Sequence, residues 1–490
     1  MQTIQIALII LVFISMALSM FFRKIPALIA LPMMAFFIPL IAGVSLNDTM
    51  QLVIGEGALK LHNAYTVAIF GSILSILLQK TKVVETFIRK GAELTGDNPW
   101  VIAVIMVTLI AMLFTTIGGL GAIIMVATVV LPIMSSVGIG PLTVVGIFLV
   151  GVSMGGILNA GGWAVYVDVM KLSIDQIRPF ALIMFAATFV MALCYITIQL
   201  YRDGHDLKLR KIATISLGFI ALAIFLGLGY GWLNPDLQLL LKNGLFQLGR
   251  FLKYALAIGL AGLFLLSLLR IFFRPISPDQ IFGAAYVTPL VPLLLILMFN
   301  MNFIAAFICG LIYGFAATYR RGSLNIFIRS ALEGGAVVMP AVVLMFGIGM
   351  LLNAIMGPGA SWNATHPEGW PVLALLKPFM MKIIPTNALL YVIIFGLTAP
   401  LALYRGPLNV WGMGYGLAAV FLASGMNPGS VMGLLMSVGQ VQGISDPTNT
   451  HNVWLANEMQ QDVQKVLWNT IPFSWGVAFV GLVFSALIFL

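Results

Sequence analysis

The chain has 490 residues, 61% of them hydrophobic and only 8% charged, with a mean hydropathy of +1.07. Soluble domains carry about 25% charged residues, so the composition excludes a soluble globular protein and predicts an all-α polytopic membrane protein. The net charge of +9 does not indicate a nucleic-acid partner, because Lys and Arg are dispersed between apolar runs, where they set topology.

Apolar runs of spanning length occupy 4–22, 25–44, 63–79, 142–170, 179–201, 212–232 and 251–273. They continue at 281–299, 302–318, 336–356, 428–457 and 468–490, which gives about 12 transmembrane helices. No basic segment precedes the first run, and Arg23-Lys24 follow it, so it reads as a retained span rather than a signal peptide. Two more runs, 99–134 and 386–421, are too long for one crossing and carry glycines at their middles. Each could be two short spans or one re-entrant hairpin; the hairpin is expected, because each arm is short and the apex Thr115-Thr-Ile-Gly-Gly-Leu-Gly121 is glycine-rich and polar. The segments 83–96 and 371–384 mix charge with apolar residues and are expected to lie in the interface.

Charge orients the chain. With Arg23 and Lys24 in the cytoplasm, the segment Lys80 to Lys90 falls on the same side. So do Arg202, Lys208, Arg210, Lys211, Arg274, Arg320, Arg321, Arg329 and Lys465. Lys60, Lys171, Lys242 and Lys382 stay outside, as do both termini. The expected location is the cytoplasmic (inner) cell membrane. The sequons Asn47-Asp-Thr49 and Asn363-Ala-Thr365 also fall outside. Cys194 and Cys309 lie in apolar runs and are expected to fill space.

The halves resemble each other. Gly138 to Ile157 lies on Gly425 to Ile444 without a gap at an offset of 425 − 138 = 287, pairing Pro141 with Pro428 and Gly156 with Gly443. The same offset puts Gly119 on Gly406 and Asn159 on Asp446. Glu56-Gly57 and Phe70-Gly71 echo Glu333-Gly334 and Phe346-Gly347 at a slightly smaller offset. We expect repeat 1 at 1–201, with the hairpin 99–134 and a broken helix 142–170; linking transmembrane helices at 202–280; and repeat 2 at 281–490, with the hairpin 386–421 and a broken helix 428–457. Five crossings per repeat, an odd number, make the topologies inverted.

The polar residues concentrate at the breaks. Gly443-Ile-Ser-Asp-Pro-Thr-Asn-Thr-His-Asn452 interrupts an apolar run, and Gly156-Ile-Leu-Asn-Ala-Gly-Gly-Trp163 is its neutral counterpart. Hydrocarbon offers no water to unpaired amides, so a non-helical break survives only inside protein or beside a wet cavity. Paired broken helices point to the binding site of a secondary transporter. Thr115, Thr116, Gly118, Gly119, Asn159 and Gly161 are expected to line one side of that site, and Gly406, Asn409, Ser445, Thr448, Asn449 and Thr450 the other. Arg405, at the second hairpin's apex, suits a carboxylate through its planar fork of donors; the alternatives are a structural partnership with Asp446 and an interfacial Arg snorkelling outward. Asp446 and His451 are the candidates for ion coupling, since each has a charge that can change. Asp168 and Glu333 lie nearer span ends, where the solvated reading is favoured.

Neither HExxH, an aspartate-rich pair, a P-loop nor a zinc-spaced Cys pair occurs, so neither an enzyme nor ATP hydrolysis is supported and no cofactor or metal is expected beyond co-transported H⁺ or Na⁺. The Arg-Lys-Ile-Pro turn at 23–26, the glycine-rich tip at 118–121 and Asp446-Pro-Thr-Asn-Thr450 resemble the ion transporter superfamily, nearest to its organic-anion branches (citrate, gluconate, lactate and dicarboxylate permeases). The resemblance covers most of the chain. It implies two re-entrant hairpins, inverted repeats, a scaffold with an elevator-like transport domain, and often a homodimer. The Ser-Asn-Thr tip of the dicarboxylate–sodium branch is absent at 115–121. The expected function is symport of a small carboxylate anion with H⁺ or Na⁺; the alternative is a cation/proton antiporter without organic substrate.

Overall fold

A computed structural model of the protein describes residues 2–22, 24–93, 96–206, 235–273, 280–363, 366–380, 385, 387–410 and 414–490. The expected span 212–232, the cytoplasmic bases Arg23, Lys208, Arg210, Lys211 and Arg274, the outer Lys382 and the end of the second sequon lie outside the described residues. All regular structure among the described residues is helical.

The first half runs through α1 (Gln2–Phe21), α2 (Ala27–Ile41) and α3 (Leu46–Lys80), which contains a π-helical stretch at Thr49–Gly55. The short α4 (Val83–Glu93) buries Val83, Val84 and Ile88 beneath its charged face. Next come α5 (Pro99–Phe114) and α6 (Leu120–Ser136), the arms of the expected first hairpin. Asn98 caps α5 by accepting from the N–H groups of Trp100 and Val101, with Pro99 at the first turn, where its missing N–H costs nothing. α7 (Pro141–Ile157) and α8 (Ala160–Met170) form a span bent by 45°, and α9 (Ile174–Arg202) closes the half.

α10 (Pro235–Phe273) links the halves and is longer than the expected 251–273. The second half opens with a 3₁₀ stretch, Gly283–Leu290, leading into α11 (Val291–Phe299), then α12 (Phe303–Ala317) and the long α13 (Ser323–Met356). α14 (Pro371–Met380) precedes α15 (Ala388–Thr398), which Asn387 caps through the Leu389 N–H. A 3₁₀ turn, Ala399–Arg405, carries α15 to the second tip, from which α16 (Tyr415–Ala423) returns. α17 (Pro428–Ser445), α18 (Thr450–Glu458) and α19 (Val463–Phe489) complete the chain.

Seven helices among the described residues are long and apolar enough to cross a bilayer, and the bent α7–α8 pair makes an eighth. Five further apolar helices have 10–17 residues, among them both arms of the first hairpin. The expected spans 25–44 and 302–318 belong to this shorter class, cut by the turn after Ala42 and by the Asn302 cap. Exposed Leu, Ile and Phe side chains cover α1, α10 and the outer face of α19, as lipid-facing helices require. Cys194 and Cys309 lie on this outward surface instead of filling the interior. The chain is an all-α polytopic membrane protein.

The sequence offsets have spatial counterparts. A Cβ added to Gly57 in α3 would stand 2.7 Å from the Met350 Cα in α13, and one added to Gly334 would stand 2.7 Å from the Ile73 Cα. Because 334 − 57 = 350 − 73 = 277, each contact is the image of the other, as a two-fold relation between two copies of one patch produces. The helices run antiparallel, since the paired numbers keep a constant sum (57 + 350 = 334 + 73). Only glycine allows this backbone approach. A second self-matched contact joins α7 to α17: Ser153 Oγ donates to Gln440 Oε1 at 2.8 Å, and the two residues are 287 apart.

The adjacent pair Gly334 and Gly335 isolates this packing effect, because a Cβ on Gly335 meets nothing within 4 Å. Gly334→Ala is expected to lower stability by about 1–3 kcal/mol through overpacking. Gly335→Ala is expected to be neutral or to gain up to about 1 kcal/mol from helix propensity. Thermal midpoints of the two variants in detergent check both expectations.

Candidate functional site

Each broken span leaves backbone amides without intrahelical partners, and at both breaks a side chain at the break supplies an acceptor: Asn159 as the N-cap of α8, and Asp446 as the C-cap that ends α17. Asn159 Oδ1 accepts from the N–H of Gly161 at 2.9 Å and of Gly162 at 3.4 Å. Asp446 Oδ1 accepts from the Thr448 N–H at 2.9 Å and the Thr448 hydroxyl at 2.7 Å. Asn159 and Asp446 are 287 apart, as are Gly161 and Thr448, so the same turn is built twice.

The same two side chains also hold the hairpin tips. Asn159 Nδ2 donates to the Phe114 carbonyl, at the end of α5, at 3.1 Å. Asp446 Oδ1 accepts from the Tyr404 N–H at 3.0 Å. The difference in residue type follows the difference in partner: the first tip offers a carbonyl and needs a donor, whereas the second offers an N–H and suits an anion. Gln442 Oε1 adds a second tie to that tip by accepting from the Val410 N–H at 2.7 Å.

Asp446 is fully buried. Its Oδ2 accepts from Asn409 Nδ2 at 3.3 Å, and the same amide nitrogen donates to the Ala402 carbonyl at 3.0 Å, which fixes the amide orientation. Tyr404, Thr448 and Asn409 thus turn only donors toward the two carboxylate oxygens. Three ion pairs form among the described residues, Lys80–Glu333, Arg89–Glu85 and Arg178–Asp175; neither Asp446 nor Arg405 takes part in one.

The second tip is strained. Tyr404 and Arg405 both take left-handed backbone conformations, with φ of +54° and +56°. Each costs about 1–2 kcal/mol for a residue with a Cβ. The Tyr404 N–H bond to the buried carboxylate offsets this by about 1.5–3 kcal/mol, the range for hydrogen bonds to charged groups. Gly119 and Gly406 occupy equivalent positions, yet only Gly119 has a positive φ, +85°. Gly406 is required for a different reason: a Cβ there would lie 2.1 Å from the Leu401 carbonyl oxygen. Arg405, one residue before it, is exposed.

Several expected lining residues are committed to the protein instead. Thr115 donates to the Met112 carbonyl, and Thr116 to that of Pro289, tying the first tip to the second half. Ser445 shares its hydroxyl with Thr470 and Ser474 of α19, and Asn449 Nδ2 donates to the Gln442 carbonyl. Thr450 is exposed. His451 Nε2 is enclosed with no partner among the described residues. Asp168, expected to be solvated, is 5% exposed and accepts from Asn63 Nδ2 at 2.8 Å and the Ala64 N–H at 3.4 Å, because the turn into α3's last segment leaves those donors open. Glu333 is solvated and pairs with Lys80.

The open space lies at the first break. Gly118, Gly119 and Gly156 are exposed, and added Cβ atoms on Gly118, Gly121, Gly156 and Gly162 would meet nothing within 4 Å. Tip and break adjoin here, since a Cβ on Gly155 would strike the Ala111 carbonyl and Phe114. Gln440, Gln442 and Ser153 were not among the expected site residues. The signal was present: the 287 offset superposes Ser153 on Gln440, two polar residues within apolar spans.

The fold is shared with the Alcanivorax borkumensis YdaH transporter, whose crystal structure was described as revealing an unusual topology. The TM-score is 0.51 and the identity 13%, over 90% of this chain and 88% of that one. MtrF of Neisseria gonorrhoeae, described as illuminating a class of antimetabolite efflux pumps, aligns with a TM-score of 0.47 and 15% identity, over 91% of this chain and 85% of that one. No protein-family model and no curated protein matches the sequence. The chain therefore shares the fold of the YdaH transporter.

Asp446→Asn replaces an acceptor with a side chain that must turn an N–H toward Tyr404, Thr448 or Asn409. We expect a loss of about 1–3 kcal/mol and faster proteolysis within 399–410. Gln442→Leu should release Val410 alone and cost less. Limited proteolysis with mass spectrometry checks both.

Proposed function

We propose that the chain is a secondary active transporter that carries a small organic anion, of carboxylate type, together with H⁺ or Na⁺. One observation carries this reading. The second hairpin tip is fastened to the helix break through the buried Asp446, and the neighbouring Arg405 stays exposed and outside every ion pair among the described residues. A guanidinium held in a strained turn without an internal counter-charge suits a bidentate anionic ligand. This favours the anion carrier over a cation/proton antiporter, in which Arg405 would be structural.

In this reading Arg405 meets the carboxylate at the second tip, and the glycine-lined space at the first break, where the N-terminal end of α8 contributes partial positive charge, gives room to the rest of the substrate. Asp446 carries the coupled cation, since its charge is the one a proton or Na⁺ would neutralise beside the tip. The two hairpins and broken spans move as one unit against the helices around α3 and α13, in an elevator-like exchange of access. The loose likeness to the organic-anion branches of the ion transporter superfamily points the same way.

Uptake of labelled carboxylates into proteoliposomes, with and without imposed pH or Na⁺ gradients, tests the proposal. Arg405→Ala is expected to cut uptake at least about tenfold, the equivalent of one lost charge-assisted contact of about 1.5 kcal/mol, with an unchanged thermal midpoint. Unaltered uptake would remove the anion clamp. Gly156→Ala, which meets no protein atom within 4 Å, is expected to leave stability intact and reduce transport by filling the cleft.

A further inference from the structure

The basic end of the molecule contains a groove that the transport site does not use. It runs between α4 and the segment leading into the 3₁₀ stretch, with a volume of about 370 Å³ lined by Thr86, Lys90, Gln280, Phe282 and Tyr286. A smaller cavity continues it through the shared residues Gln280, Ile281 and Phe282 to Arg270 and Arg320. Lys90 stands at one end, its Nζ 4.8 Å from the centre of the Tyr286 ring. Arg270 stands at the other, its guanidinium 4.8 Å from the centre of the Phe282 ring. Arg270 holds the last turn of α12 through Nη2 alone, donating to the Tyr319 carbonyl at 2.8 Å and the Ala316 carbonyl at 3.5 Å. Among the described residues no carboxylate pairs with Lys90 or Arg270: Glu85 is taken by Arg89, and Glu333 by Lys80.

We propose that this groove binds the phosphate headgroup of an anionic phospholipid, with Lys90 facing the phosphodiester, Thr86 and Gln280 supplying hydrogen bonds, and Arg270 adding positive charge from the adjoining cavity. Three features favour a lipid over a free phosphate. The groove is walled by aromatic and aliphatic side chains, Ile281, Phe282 and Tyr286. Leu269, Phe272 and Phe273 flank Arg270 and are exposed, so acyl chains would have an apolar track directly beside the head. α4 is an amphipathic helix with its apolar face buried, the geometry of a segment lying in the headgroup layer. A basic pocket of this kind, at the end of the molecule where Lys and Arg gather, meets the leaflet that carries anionic lipid.

Native mass spectrometry of the detergent-purified full chain, titrated with phosphatidylglycerol and with phosphatidylcholine of the same acyl chains, tests the proposal. Phosphatidylglycerol should be retained preferentially. Lys90→Gln, which removes only a contact above the Tyr286 ring, should lower that retention about fivefold at low salt, since one base near an anionic headgroup is worth about 1 kcal/mol. Phosphatidylcholine binding should not change. Arg270→Gln should act in the same direction, and its thermal midpoint identifies any loss that comes from freeing α12. Lys465→Gln, which alters an exposed base in the first turn of α19, should have no effect. Equal retention of the two lipids, undiminished binding in Lys90→Gln, an equal loss in Lys465→Gln, or displacement of the lipid by millimolar inorganic phosphate would each overturn the assignment.

Discussion

An amide without a partner is intolerable in hydrocarbon, and that constraint governs this molecule wherever a helix stops inside the protein. At both interrupted spans one short side chain resolves it twice over. Asn159 satisfies the first amides of the following helix and Asp446 an amide of the turn that leads to it, and each, with the same side chain, fastens a hairpin tip. A break that might have been a weak point becomes the place where hairpin and span are joined. The wider architecture follows, because α7 can approach the first hairpin only where Gly151 and Gly155 let backbone meet backbone.

The two joints share a plan but not a charge. At the first, an amide bonds a carbonyl; at the second, a carboxylate collects donors from three residues. The neutral joint is bordered by open glycines, whereas the charged one is packed shut around Asp446. Two related turns therefore give two environments, one roomy and one ionic. The left-handed pair Tyr404–Arg405 belongs to the ionic side, and its strain is held by the bond to the buried carboxylate.

Much of this was legible in the residues. Pro141 and Pro428, the glycine tip near 118–121 and the polar run 443–452 mark helix starts and interruptions by local chemistry alone, and the structure places breaks at each. The 287 offset even superposed Asn159 on Asp446. Side-chain commitments were less visible. Nothing local shows that Thr116 would reach the Pro289 carbonyl, that Ser445 would turn to Thr470 and Ser474, or that Asp168 would meet Asn63. Those partners lie tens to hundreds of positions away.

The sequence by itself determined the membrane class, the helix interruptions and the internal likeness, because hydropathy, proline and glycine act within a few residues of where they stand. Tertiary structure alone decided which polar groups are spent on the protein and which remain free. A hydroxyl or amide is directional and short-ranged, so its fate depends on which helix face arrives within about 3 Å. Packing settled that choice: it buried Asp446 among donors and left Arg405 exposed.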